Sequence, residues 1–231
     1  MDFFDSLIEK TLKEISDFSS EEYAYSEKDS WQDIGVNQVI LQRDTLCELD
    51  GVGFNLVTSK PVKDKITVIG PDLQKIKSNC SFARVSVIEI DSEEDEQAAY
   101  NLIRKIEYTK YHTFPEGYMI RTSSKGSKEV VRVAKSACKN KISFQKVGSL
   151  FIKKYKENPA VKGVNIIFIT DPKADFGYFE KAAEKNHDIT ETLNHAINNL
   201  NFDCNTCKLK PVCDEVEGMK ELHFKTKMGK Q

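Results

Sequence analysis

Three cysteines and a histidine near the end of the chain have the types and spacing of a soft metal site. Cys204, Cys207 and Cys213 follow the pattern C-x2-C-x5-C, and His223 stands ten residues beyond the third cysteine. Two cysteines separated by two residues can turn both sulfurs to the same side of a short loop without strain. A third thiolate and an imidazole complete four soft or borderline donors, a set that suits zinc or an iron–sulfur cluster and not magnesium or calcium. Pro211, just before the third cysteine, bends the chain back and fixes part of the loop. Half of the six cysteines fall in this one stretch, which argues against chance grouping. Residue types alone leave the metal open between zinc and iron.

A second set of charges sits in a predicted hairpin. Y-M-I-R-T (118–122) and E-V-V-R-V-A (129–134) flank the flexible tip S-S-K-G-S-K, placing Arg121 and Arg132 on facing strands. Two guanidinium groups so placed can hold an anion, although a strand arginine more often sits on a solvated or salt-bridged face. No glycine-rich phosphate loop, no G-x-S-x-G and no H-E-x-x-H is found, and no carboxylate pair stands out for acid–base work. The motifs do not mark an enzyme acting on its own.

The elements that must position these residues are legible in part. Phe3, Phe4, Leu7, Ile8, Leu12, Ile15 and Phe18 make an apolar stripe over 2–18, an amphipathic helix expected to dock on its own domain. A polar stretch, S-S-E-E-Y-A-Y-S-E-K-D-S, then reads as a linker. Strands are expected at 39–41, 53–57, 65–70 and 83–91, the third stopped by Gly70-Pro71-Asp72. Ser92 opens a helix that runs to about Tyr111, and Ser143 caps another that ends at Asn158-Pro159. G-V-N-I-I-F-I-T (163–170) is almost wholly apolar, so it is read as a central strand buried on both faces. Asp171-Pro172 is read as the cap and first position of the next helix, and 188–200 as a helix leading into the cysteines. His187 and His195 lie in helices without ligand-spaced partners and are read as ordinary residues.

The fold class is therefore α+β: a mixed sheet with helices packed on it, an N-terminal amphipathic helix and a C-terminal cysteine-rich metal knuckle. The expected division is a helix and linker over 1–34, the α+β domain over 35–200, the metal-binding segment over 201–225 and a disordered tail over 226–231. With 231 residues, 39% of them apolar and 30% charged, the chain can bury a core without disulfides. Cys47, Cys80 and Cys138 are read as scattered reduced thiols. A net charge of −2 with interspersed signs points away from nucleic acid, and no apolar run is long enough for a membrane span. With no signal-peptide pattern at the start, the expected location is the cytoplasm.

Several blocks in fixed order resemble the acetyl-CoA synthase subunit of the CO dehydrogenase/acetyl-CoA synthase complex. They are G-F-N-L-V, K-I-T-V-I-G-P-D-L, A-R-V-S-V-I-E-I-D, F-P-E-G-Y-M, V-V-R-V-A-K-S-A, F-I-K-K-Y-K-E-N and V-N-I-I-F-I-T-D, spanning with the cysteines roughly residues 45 to 225. The resemblance implies the family's central domain followed by the start of its metal-cluster domain. It matches Cys204 and Cys207 to the first cluster pair and Cys213 to the third cysteine, with His223 where the family has its fourth. It tips the metal towards iron and sulfur, and it implies coenzyme A binding by basic residues, with Arg132 at a basic position of its block and Arg121 opposite. The family's CO-receiving domain and its Cys-Gly-Cys nickel chelate have no counterpart in this sequence. The chain is thus expected to be an accessory protein of anaerobic one-carbon metabolism, with a partner of corrinoid or CO dehydrogenase type, that does not itself form acetyl-CoA. The alternatives are a zinc-stapled interaction module and a coenzyme A-binding partner in methyl transfer.

Overall fold

The computed structural model describes residues 3–91, 96–122, 128–198, 207–216 and 218–219. Seven strands form one mixed sheet: β1 (Ser20–Ala24), β2 (Thr45–Thr58), β3 (Lys65–Ile69), β4 (Cys80–Ile90), β5 (Tyr118–Thr122), β6 (Lys128–Ala134) and β7 (Val161–Ile169). Their order across the sheet is β1-β3-β7-β4-β2-β6-β5. The pairs β3/β7 and β2/β4 are parallel and the other four antiparallel. Among the described residues there are six α-helices: α1 (Asp5–Glu14), α2 (Glu96–Tyr111), α3 (Lys135–Lys139), α4 (Phe144–Lys156), α5 (Phe176–Ile197) and α6 (Lys210–Glu215). The expected α+β class with a mixed sheet is what forms. The knuckle lies largely outside the described residues, as do Ser92, the hairpin tip 123–127 and the tail 226–231.

β7 is a central strand, as its continuous apolar run requires, because helices cover both faces of the sheet. On one face α4 lies across β3 and β7. Its buried side chains Val147, Leu150, Phe151 and Tyr155 recur at helical spacing, and Ser143 accepts a bond from Lys146 N at its start. Phe144 stacks on Phe168 of β7 there, with ring centroids 4.5 Å apart. On the other face α1 and α5 pack on β2. Asp5 of α1, itself buried, accepts a 2.8 Å bond from the Thr58 hydroxyl, so the N-terminal helix docks on its own sheet.

The edge of β2 changes partner halfway along. Its pairing with β6 ends at Val52–Lys128, and beyond that point α2 lies alongside. Lys110 of α2 donates to Gly53 O at 3.2 Å, taking the place of a strand amide.

Four local expectations are corrected. The polar stretch after α1 contains β1, which pairs with β3 along the whole of its length. Residues 39–41 are extended but join no strand, since Ile40 N donates to Met119 Sδ and not to a backbone carbonyl. β2 begins at Thr45, well before residue 53. The helix after β7 is capped by Asp175, whose side chain accepts from Tyr178 N, and not by Asp171-Pro172. It then runs unbroken to Ile197. Gly70 does stop β3, with φ at +96° and a hypothetical Cβ only 2.3 Å from Asp171 N.

Candidate functional site

The strongest concentration of chemistry among the described residues is a buried charged network on the face covered by α4. Arg84 of β4 and Glu129 of β6 are fully buried and form a two-point pair, Nε to Oε1 at 3.1 Å and Nη2 to Oε2 at 2.7 Å. The strand β2 lies between them in the sheet. The pair can close over it because Gly53 has no side chain: a Cβ there would sit 1.9 Å from Glu129 Oε2 and 2.7 Å from Arg84 Nη2. Arg84 also donates to Ser86 Oγ at 3.0 Å, and its guanidinium lies 5.0 Å from the Phe151 ring centroid.

A second chain of bonds runs beside it towards the surface. Tyr155 donates to Asn55 Oδ1 at 2.9 Å, and Asn55 donates to Glu107 Oε1 at 2.8 Å. Glu107 pairs with Lys110 at 3.0 Å, and Lys110 closes the chain on Gly53 O. Glu107 is the one partly exposed member, at 23%. Every charge in this network therefore has an internal partner. Tyr118 Oη, close to Arg84 and Glu129, is buried without a hydrogen-bond partner among the described residues.

The electrostatics keep Arg84 and Lys110 charged. Burial alone would lower the Arg84 and Lys110 pKa values, but Glu129 and Glu107 respectively overcome it and both are raised. Lys110 is thus held as an ammonium and is no base or nucleophile. Burial also raises Tyr118 and Tyr155, and it pushes the Cys47 thiol up to about 12, helped by Cys138 and Cys80. None of these three thiols is in a disulfide.

An alkaline limit to stability follows. Each of these groups holds its proton more tightly folded than unfolded, so stability is full below their ordinary values and falls as pH rises. The fall should begin near the ordinary thiol value of 9 and continue towards 12. Urea midpoints at about pH 8 and about pH 11 measure it, and an unchanged or higher midpoint at the upper pH would contradict the arrangement.

Arg121 and Arg132 do lie on one face of the β5–β6 hairpin, since Arg132 pairs with Met119 and Arg121 stands two residues further on. Their surroundings differ. Arg132 is committed to an ion pair with Glu48 and donates to Ile40 O at 3.4 Å. Arg121 is exposed, makes no ion pair among the described residues, and borders a cleft of about 400 Å³ that Lys110 and Tyr111 also line.

Of the metal candidates, Cys207 and Cys213 are described; Cys204 and His223 are not. Pro211 opens the short helix α6, which contains Cys213. Glu215 pairs with Lys185 of α5 and lies 3.7 Å from Lys10 of α1. Val212, Cys213 and Val216 pack against the core, and Met219 is fully buried. The cysteine segment is therefore docked on α1 and α5. Among the described residues no three His, Cys, Asp or Glu side chains are placed to share one ion. The donor chemistry of the segment still fits a thiolate metal site, because Cys207 and Cys213 are both only half-buried, one just before a turn and the other in the short helix that follows it.

Sequence reasoning missed Arg84, Glu129 and Lys110. A signal was present: A-R-V-S-V-I-E-I places Arg84 and Ser86 on one face of a strand apolar on both, and G-V-G puts two glycines on one face of its neighbour. A charge in such a strand needs a partner, but nothing local names Glu129. No helix among the described residues is long and apolar enough to cross a membrane.

Comparison with curated proteins returns no match. Residues 36–174 match the model of one protein family, described as the CO dehydrogenase/acetyl-CoA synthase complex beta subunit. The matched stretch holds every member of the buried network and ends before α5 and the cysteine segment. The chain belongs to the CO dehydrogenase/acetyl-CoA synthase complex beta subunit family.

Proposed function

We propose that the chain serves as an acetyl-CoA-synthase-like accessory subunit: an α+β support that carries a small thiolate–imidazole metal site, docks other proteins, and does not itself form acetyl-CoA. The observation that carries this reading is the docking of the cysteine segment on α1 and α5 through Glu215, Val212, Val216 and Met219. A segment anchored in this way can hold metal at a fixed place on the body. Cys204, Cys207, Cys213 and His223 would be the ligands. An iron–sulfur cluster bound there would supply electron transfer, whereas zinc would supply a structural tie. The internal pairing of Arg84, Glu129, Glu107 and Lys110 supports a scaffold role for the domain itself. The partner is proposed to be a corrinoid or CO dehydrogenase component of the complex.

Metal and sulfide analysis of protein prepared without oxygen tests this. The expected result is about four iron and four sulfide per chain, the cubane composition, reduced by Cys204→Ala. One zinc without sulfide would turn the site into a staple. Absence of all metal, with Cys204→Ala changing neither stability nor partner binding, would sink the reading.

Coenzyme A binding is a second reading, favoured by Arg121, which is exposed and makes no ion pair among the described residues, and weakened by the commitment of Arg132 to Glu48. Calorimetric titration of coenzyme A into wild type and Arg121→Ala decides it. No heat in the wild type removes it.

A further inference from the structure

β5 is the last strand of the sheet, and among the described residues β6 alone pairs with it. Ala134 N donates to Gly117 O, so the Gly117 carbonyl and the backbone groups of Met119 and Arg121 are directed towards β6. Tyr118, Ile120 and Thr122 direct theirs to the other side. The start of that outer edge is closed: Tyr118 N turns back on Pro115 O, and the Gln38 amide clamps Pro115 O and Gly117 N. At Ile120 and Thr122 no described backbone group takes the outward amides and carbonyls. This open stretch lines the 400 Å³ cleft together with the end of α2 and Asn37–Gln38.

Two further features gather here. Of the six large apolar side chains exposed among the described residues, Val36, Val39 and Leu41 lie on the segment walling the cleft, and Tyr108 and Tyr111 lie on α2. The charged side chains lining the cleft are both basic, Arg121 and Lys110, and Arg104 and Lys105 line an adjoining cleft together with Glu107 and Glu191. Arg121, Arg104 and Lys105 are exposed and make no ion pair among the described residues.

We propose that β5 is a docking edge for an extended segment of a partner polypeptide that carries acidic and apolar residues and adds to the sheet as a further strand. Outward main-chain groups are read by another main chain, not by a small anion or a nucleic-acid backbone. Arg121, exposed beside the edge, selects acidic side chains, and the exposed valines, leucine and tyrosines offer contacts to apolar ones. The docking edge does not depend on the cysteine segment: a chain without metal would still bind such a strand, and a metal-loaded chain could fail to.

The test uses the full chain and a fluorescent peptide of alternating aspartate and valine, about seven residues long, enough to cover β5. Fluorescence anisotropy should show saturable binding, weakened tenfold or more when alternate amides of the peptide are N-methylated. The exposed substitution Arg121→Glu should cause a loss of similar size while leaving the melting temperature unchanged, and a lysine–valine peptide should not bind. Ile120→Pro should abolish binding, and the N-methylated peptide gives the same information without touching the protein fold. Equal binding of the N-methylated peptide would overturn the proposal, since charge alone would then be at work. So would an absence of binding, or a self-association of the chain that excludes the peptide, which would assign the edge to a second copy.

Discussion

Replacing Glu129 by alanine should cost about 3–5 kcal/mol, a large part of the stability of a domain this size. The cost is not the loss of one contact. Glu129 and Arg84 are both fully buried, and removing the carboxylate leaves a guanidinium with no solvent and only neutral neighbours such as Ser86 Oγ and the Phe151 ring. Arg84→Ala should be comparably severe, because it strands the carboxylate. The double variant Arg84→Met, Glu129→Leu should recover most of the loss, since apolar residues of similar volume need no compensation. Urea unfolding of the three variants decides this. Single variants within about 1 kcal/mol of wild type would mean that water reaches the pair.

Gly53→Ala should be severely damaging for so small a substitution, at about 3 kcal/mol or more. One added carbon would stand 1.9 Å from Glu129 Oε2 and 2.7 Å from Arg84 Nη2. Neither neighbour can swing aside, because each is held by the other at two points in a closed interior. Overpacking of this kind costs about 1–3 kcal/mol by itself, and displacement of the pair adds to it. Gly177, in the first turn of α5, is the natural comparison. A Cβ there approaches only Asp175 Oδ1, at 3.2 Å, so Gly177→Ala should change stability by about 1 kcal/mol or less. Equal effects from the two alanines, measured by thermal unfolding, would remove the crowding argument.

Why some elements were readable and others not follows from what each one touches. β7 announced itself because both its faces are covered, so nothing polar interrupts V-N-I-I-F-I except Asn165. The amphipathic stripe of α4 was equally plain. β2 was legible only from residue 53 because C-E-L-D-G-V-G breaks alternation, and its glycines are where the side chains of other strands pass and backbones come close. β1 looked like a linker because an edge strand of five residues buries almost nothing. The helix α5 looked broken because Asn186, His187 and Asp188 interrupt its stripe, and Asp175 won the cap because the two preceding candidates are still in a turn after β7. The hairpin arginines were placed correctly, but Glu48, which occupies one of them, lies far away in sequence. For the metal set, Cys207 and Cys213 can be located on the body, while Cys204 and His223 fall outside the described residues.

The position of β7 also bears on how the protein comes into being. Without it the sheet falls into two pieces, β1–β3 and β4–β2–β6–β5, because β7 alone joins β3 to β4. It is the last of the seven strands to leave the ribosome. Until residues 161–169 emerge, the inner edges of β3 and β4 stand open with apolar faces uncovered. A nascent or truncated chain at that stage carries two aggregation-prone edges, and a chaperone would find its task there. Completion of the sheet then becomes one late, long-range event.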